Sequence, residues 1–207
     1  MKKLYSKIFA KFYDSFMVSF ESKIEKDRRS MLNTLNGVIL DVGSGTGINF
    51  IFFNDQVKVF AIEPSKSMLE KSIPKIKNKN IELLNLGVND TELHTIIKEK
   101  SLDAIVSTLV LCTIPNPELA LENFKKWLKP NGKLIVLEHI HSNKKLKAKF
   151  ENIINPFWKI IGDGCNLNRH TDLLIKEKGF IAKKESYFTL GMRIHKAEYV
   201  LNKEVTI

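Results

Sequence analysis

Apolar side chains recur every three or four positions near the amino terminus: Tyr5, Ile8, Phe9, Phe12, Tyr13, Phe16, Phe20 and Ile24, with Lys and Ser between them. That period puts them on one side of a helix, so residues 4–29 are expected to form an amphipathic helix. Gly37 breaks the pattern, and Val38-Ile39-Leu40 opens a buried strand that ends in a glycine-rich turn at 43–47 and a short helix through Phe53. Val57–Ile62 alternates as a strand does. Lys66–Ile73 is helical in pattern, started by Pro64 and Ser65 and ended by Pro74. Further strands are expected at Ile81–Leu86, Asp103–Thr108 and Lys133–Glu138. A helix from Pro117 to Leu128 lies between the last two, and Lys129-Pro130-Asn131-Gly132 turns the chain. Helical spacing returns at 143–161 and 171–178, and two strands near 181–188 and 196–202 close the chain.

Strands alternating with helices specify a parallel sheet covered on both faces. The expected fold class is therefore α/β: a doubly wound, seven-stranded, mostly parallel sheet of Rossmann-like kind, with the last strand pair as an antiparallel edge. No repeat or linker divides the chain. Residues 1–207 are expected to be a single domain, with 1–30 as an amphipathic lid or surface helix.

Composition narrows the class. A hydrophobic fraction of 43% and a charged fraction of 27% are those of a globular protein. No run approaches the ~18 apolar residues of a membrane span, and lysines interrupt the first residues, so a cytoplasmic location is expected. The net charge of +10 invites a nucleic-acid or membrane reading, but only four of the basic residues are Arg and the lysines are scattered. Phosphate-reading faces cluster their cations, so no nucleic-acid partner is expected. Peripheral contact with an anionic membrane stays open through the basic amino-terminal helix. Cys112 and Cys165 are far apart in sequence and give neither a metal-binding spacing nor a disulfide framework, so no metal is expected.

The chemistry begins where the first strand meets the first crossover. Asp41-Val42-Gly43-Ser44-Gly45-Thr46-Gly47 has G-x-G-x-G spacing, not the G-x-G-x-x-G of a dinucleotide loop, because Ile48 occupies the third position of that pattern. Glycines there let the backbone turn tightly and a ligand approach closely. The following strand ends in Glu63, whose carboxylate suits a ribose diol. Asp41 is placed to pair with an amino group or a bound water.

On these residues the chain resembles the class I S-adenosylmethionine-dependent methyltransferases. The resemblance implies that S-adenosylmethionine is the cofactor and S-adenosylhomocysteine the product. It also implies a cofactor pocket built from Asp41, Gly43, Ser44, Gly45, Gly47, Glu63, Pro64, Leu86, Gly87, Thr108 and Leu109, with Tyr13 reaching in from the amino-terminal helix. Where the family usually carries an Asp-Ala pair for adenine, this chain has Leu86-Gly87, which implies backbone and apolar contact.

The stretch Ser107-Thr108-Leu109-Val110-Leu111-Cys112 replaces the Asn/Asp-Pro-Pro-aromatic tetrapeptide of base-modifying enzymes, and its apolar lining suits a small lipophilic acceptor. Together with Leu137-Glu138-His139 and Ile161-Gly162-Asp163-Gly164-Cys165-Asn166-Leu167-Asn168-Arg169, it resembles the methyltransferase-like group that contains the mammalian alkyl-thiol S-methyltransferases. Those members carry a hydrophobic anchoring segment ahead of the domain, and none is expected here. The resemblance implies a thiol acceptor, with a phospholipid amine or a quinone precursor as alternatives and a non-catalytic cofactor-binding protein as a third reading. Cys112, Trp158 and Arg169 are expected around the acceptor. A thiol reacts as its thiolate, and His139, at the ligand-binding edge of the sheet, is the candidate base, with Asp163 to orient it or bind substrate.

Overall fold

The computed structural model describes residues 2–77 and 79–202. The side chains of residues 2–6, 8, 9 and 16, among them Tyr5, Ile8, Phe9 and Phe16 of the expected apolar stripe, lie outside the described residues. A long helix, α1 (Lys2–Leu32), leads into β1 (Val38–Val42). The chain continues through β2 (Lys58–Ile62), α2 (Lys66–Ile76), β3 (Ile81–Leu84), the one-turn α3 (Leu93–Ile96), β4 (Leu102–Thr108), α4 (Pro117–Trp127) and β5 (Leu128–Ile140). It ends in α5 (Lys145–Ile161), α6 (Thr171–Glu177), β6 (Phe180–Leu190) and β7 (Met192–Leu201). The seven strands lie in the order β3-β2-β1-β4-β5-β7-β6. All pairs from β3 to β5 are parallel, and β7 runs antiparallel to both β5 and β6. This is the doubly wound sheet with an antiparallel carboxy-terminal edge that the alternating pattern specifies.

Strand alternation sorts the core into two layers, because successive side chains leave opposite faces. Leu40 and Val42 of β1, Ile105 of β4, and Leu134 and Val136 of β5 pack with Phe124 and Trp127 of α4. On the other face Ile39, Ala104, Val106 and Ile135 pack with Leu32 of α1 and with Phe50, Phe52 and Phe53. By the same parity Asp41, Thr108 and His139 leave the sheet on the α1 side, whereas Ser107 and Glu138 leave it on the α4 side. Ile24 of α1 closes a third small cluster with Leu137 and Ile194.

Four local expectations are corrected. Pro74 does not end α2, which runs on to Ile76. In its last turn the proline forfeits one hydrogen bond but leaves the turn geometry intact, and the helix stops when Lys77 turns to φ 51°. Lys129–Gly132 is not a turn before a new strand but a bulge within β5, where Leu102 pairs with Leu128 and Ala104 with Lys133. Phe12 is not on the buried side of α1; it is 57% exposed, and the inward stripe runs instead through Ala10, Ile24, Arg28 and Leu32. The short helix after the glycine turn is a single 3-10 turn at Phe50–Phe52.

Candidate active site

The carboxyl ends of β1, β2 and β4 open into two adjoining cavities that share Gly43, Glu63, Ser65, Val110, Thr113 and Asp163. Ligands of open α/β sheets sit at this edge, where the crossovers diverge. One cavity, of about 510 Å³, is walled by Pro64, Leu86, Gly87, Asn89 and Asp90. The other, of about 200 Å³, runs under α1, which contributes Tyr13, Met17 and Phe20, and meets Leu109, Cys112, His139, Trp158, Ile161 and Cys165.

Gly43 begins the loop at φ 60°, and a Cβ there would lie 2.1 Å from Val110 Cγ2. The loop and the segment after β4 therefore interlock in a way that only glycine permits. Glu63 pins the loop from the side: its Oε2 accepts from the Gly45 amide (3.0 Å) and its Oε1 from the Ser65 amide (2.8 Å). Burial raises its pKa against the pull of these two bonds. Each oxygen keeps a lone pair for a diol. Asp90, below Gly87, accepts from the Gly87 amide at 2.7 Å.

Behind the loop lies a buried polar network. Arg28 reaches in from α1 to donate to Thr108 (2.8 Å) and Asn49, and it is ion-paired with Glu21 at 2.8 Å. Asn49 in turn donates to Asp41 Oδ1 at 2.7 Å, whereas Asp41 Oδ2 is buried with no hydrogen-bond partner. Burial pushes the Asp41 carboxyl up to about 7. A second buried carboxylate, Glu138, organises the segment after β4: its Oε1 accepts from Ser107 Oγ (2.7 Å) and from the Val110 and Leu111 amides (both 3.0 Å). Arg169 braces the same segment by donating to the Leu111 carbonyl and, at 2.8 Å, to that of Ile114.

The structure brings Tyr13, Gly43, Gly45, Glu63, Pro64, Leu86, Gly87, Leu109, Cys112, His139, Trp158 and Asp163 to the cavity walls. Asp41, Ser44, Gly47, Thr108 and Arg169 do not line them: Asp41 and Thr108 are held in the Arg28–Asn49 network behind the loop, and Arg169 is spent on carbonyls. Asp163 stands where the cavities join, and among the described residues no hydrogen bond links it to His139. His139 Nε2 instead lies 3.4 Å from Cys165 Sγ, and burial lowers the imidazole to about 4. A base that weak is poorly matched to a thiol proton near neutral pH.

Cys112, fully buried, is held well above the usual thiol range by its hydrogen bond to Cys165 and by burial. Cys165 is drawn down by the same bond, and the Trp158 indole donates to its sulfur at 3.3 Å. Sequence reasoning missed the pairing of these two cysteines, the Arg28 network and the role of Glu138. Only the aromatic-rich residues around Cys165 and the acid within Leu137-Glu138-His139 signalled them.

Residues 40–136 match the methyltransferase domain family. The fold, the glycine loop and the acid at the end of β2 agree with that match. The chain is similar to thiol S-methyltransferase TMT1B of Rattus norvegicus, at 32% identity over 75% of this chain and 65% of the relative. It is also similar to human thiol S-methyltransferase TMT1A, at 28% identity over 84% of this chain and 75% of the relative. The chain thus spans just under two thirds of the rat relative's length. Among solved structures, 1,6-didemethyltoxoflavin-N1-methyltransferase of Burkholderia thailandensis, with bound S-adenosylhomocysteine, superposes with a TM-score of 0.69 at 13% identity, over 98% of this chain and 88% of that one.

Proposed function

We propose that the protein binds S-adenosylmethionine across the two cavities and transfers its methyl group to a small lipophilic thiol. The observation that carries this reading is the cavity under α1. Its walls are largely apolar, it meets the glycine loop at Gly43 and Gly45 beside Glu63, and it is lined by the two cysteines Cys112 and Cys165. The loop fits the cofactor: Gly43 and Gly45 bring bare backbone to the cavity wall at positive φ, and Glu63 beside them is a carboxylate suited to a diol. When bound, S-adenosylmethionine supplies an electrophilic methyl group to a nucleophile in line with its sulfonium. The chain's own residues orient and enclose: Glu63 fixes the loop, Asp90 holds the Gly87 amide, and Tyr13, Met17 and Phe20 of α1 exclude water. The similarity to thiol S-methyltransferases supports a thiol over other acceptors.

A specific observation favours a second reading, in which the acceptor is presented at an anionic membrane surface. Leu146, Phe150, Ile153, Phe157, Ile160 and Ile161 form an exposed apolar stripe along α5, with Leu146 88% and Phe157 71% exposed, and Lys144, Lys145 and Lys149 lie beside its first turns. A stripe of that kind with lysines at its flank suits a headgroup boundary. Among the described residues no helix is long and apolar enough to cross a membrane. The chain is also similar to phosphatidylethanolamine N-methyltransferase of Cereibacter sphaeroides, at 23% identity over 66% of this chain and 72% of the relative.

Release of S-adenosylhomocysteine, measured with thiols, amines and phenols in solution and with amine lipids in anionic vesicles, tests both readings. Alkyl thiols are expected to turn over, faster as their chains lengthen. Turnover with vesicle amines alone would replace the first reading by the second. Release with none of them would leave a cofactor-binding protein without transferase activity.

A further inference from the structure

Three soft donors converge from three separate elements at the wall of the cavity under α1. Cys112 lies in the segment after β4, His139 at the end of β5, and Cys165 in the loop after α5. Both Sγ atoms and an imidazole nitrogen lie within 4.8 Å of one another, and His139 Nε2 is 3.4 Å from Cys165 Sγ. In a tetrahedral zinc site, with Zn–S about 2.3 Å and Zn–N about 2.05 Å, neighbouring donors stand roughly 3.5–3.8 Å apart. The three atoms are therefore within a small side-chain adjustment of a zinc-binding face.

We propose that Cys112, His139 and Cys165 form a three-ligand site for zinc whose fourth position opens into the cavity. Two thiolates and one imidazole select a soft or borderline ion over magnesium or calcium, which take oxygen ligands. Three protein ligands rather than four are the arrangement of zinc sites that keep a position for water or substrate. The surroundings suit the charge. Trp158 Nε1–H already donates to Cys165 Sγ, and the Arg169 guanidinium lies close enough to act on both sulfurs. Such outer hydrogen bonds hold metal-bound thiolates in place. Cys112 and His139 are buried, so the ion's inner side is dry, and the residues at its outer side (Leu109, Thr113, Trp158) are cavity walls.

The site deepens the proposed thiol methylation and, in its role in the reaction, rests on that reading. Zinc displaces one proton from each cysteine as it binds. An acceptor thiol that takes the fourth position loses its own proton to solvent and becomes a thiolate without any protein base. The new S–CH₃ bond then forms as the methyl–sulfonium bond breaks. The electron pair of that bond stays on the sulfur of S-adenosylhomocysteine, and the neutral thioether product is the weaker ligand and leaves.

The full chain, reduced and dialysed with zinc and then against metal-free buffer, is expected to retain about one zinc per chain by elemental analysis. Cobalt in its place should give thiolate-to-cobalt charge transfer and the intense visible bands of a four-coordinate ion, and an added alkyl thiol should shift them. C112S and C165S are expected to lose both metals, with a native circular-dichroism spectrum and cooperative thermal unfolding as the check that the domain is folded. Both cysteines titrating as free thiols, no zinc retained and a featureless cobalt spectrum would overturn the site. A cobalt spectrum indifferent to thiols would overturn its open position. Metal bound as expected, but with no alkyl thiol methylated, would sink the thiol-transfer reading and leave the zinc site standing.

Discussion

Replacing Asp41 by asparagine separates the stability of the fold from the affinity of its loop. The Asp41 carboxyl is fully buried, accepts one hydrogen bond from Asn49, and leaves Oδ2 unpaired. Burial raises it from 3.8 to about 7, while the Asn49 bond and the Arg28 charge pull the other way and Glu63 adds to the rise. A folded-state value above the unfolded one favours the fold below the lower value, and that advantage is lost as the pH climbs through the higher one. At about 1.36 kcal/mol per unit, the native aspartate costs the fold roughly 1 kcal/mol near pH 4.5 and about 4 kcal/mol near pH 8. The side-chain amide that D41N introduces does not ionise. The stability of D41N relative to the native protein should therefore rise by about 3 kcal/mol between those two pH values, read from urea midpoints at constant slope. Asp41 lines neither cavity, so the same variant should keep its calorimetric affinity for S-adenosylhomocysteine. Parallel stability curves for the two proteins would refute the assignment of a buried carboxyl that titrates near neutrality.

Two further substitutions address the loop itself. Glu63→Gln leaves only one acceptor oxygen for the Gly45 and Ser65 amides and sets an NH₂ against the other; calorimetric affinity for S-adenosylhomocysteine should fall about 10–100-fold, and an unchanged affinity would remove Glu63 from the ribose. Gly43→Ala places a Cβ 2.1 Å from Val110 Cγ2 at φ 60°. It should cost about 2–5 kcal/mol in thermal unfolding, combining overpacking with the left-handed backbone penalty. Adding Val110→Ala should return the overpacking share, and a pair of strictly additive losses would show that the two residues do not interlock.

The sheet was legible because hydrophobic periodicity decides strands and helices before any long-range contact is made. The parallel order from β3 to β5 and the antiparallel edge both follow from the alternation of elements, and the glycine loop announced its site by spacing. What stayed hidden depends on which face a residue leaves and what it meets there. Asp41 was expected beside the ligand, yet the network of Arg28 and Asn49 holds it behind the loop. Pro74 was read as a terminator, although a proline in a last helical turn removes only one donor. Cys112 and Cys165 looked unrelated because nothing in a linear spacing tells that the segment after β4 and the loop after α5 meet over the end of β5.

The apolar stripe of α5 shares its final turns with the cavity wall. Trp158 looks onto the interior and the 62% exposed Ile161 borders it, while Phe157 and Ile160 are both 71% exposed. On the proposed reading, a hydrocarbon-tailed acceptor resting on the outer surface is separated from the cavity by a single helix, about 10 Å across. Partitioning into a lipid boundary gains roughly 0.8 kcal/mol for every methylene. Each added carbon would enrich the acceptor at the doorway before any contact inside the chamber distinguishes it, so chain-length selectivity could be set on the outside of the protein.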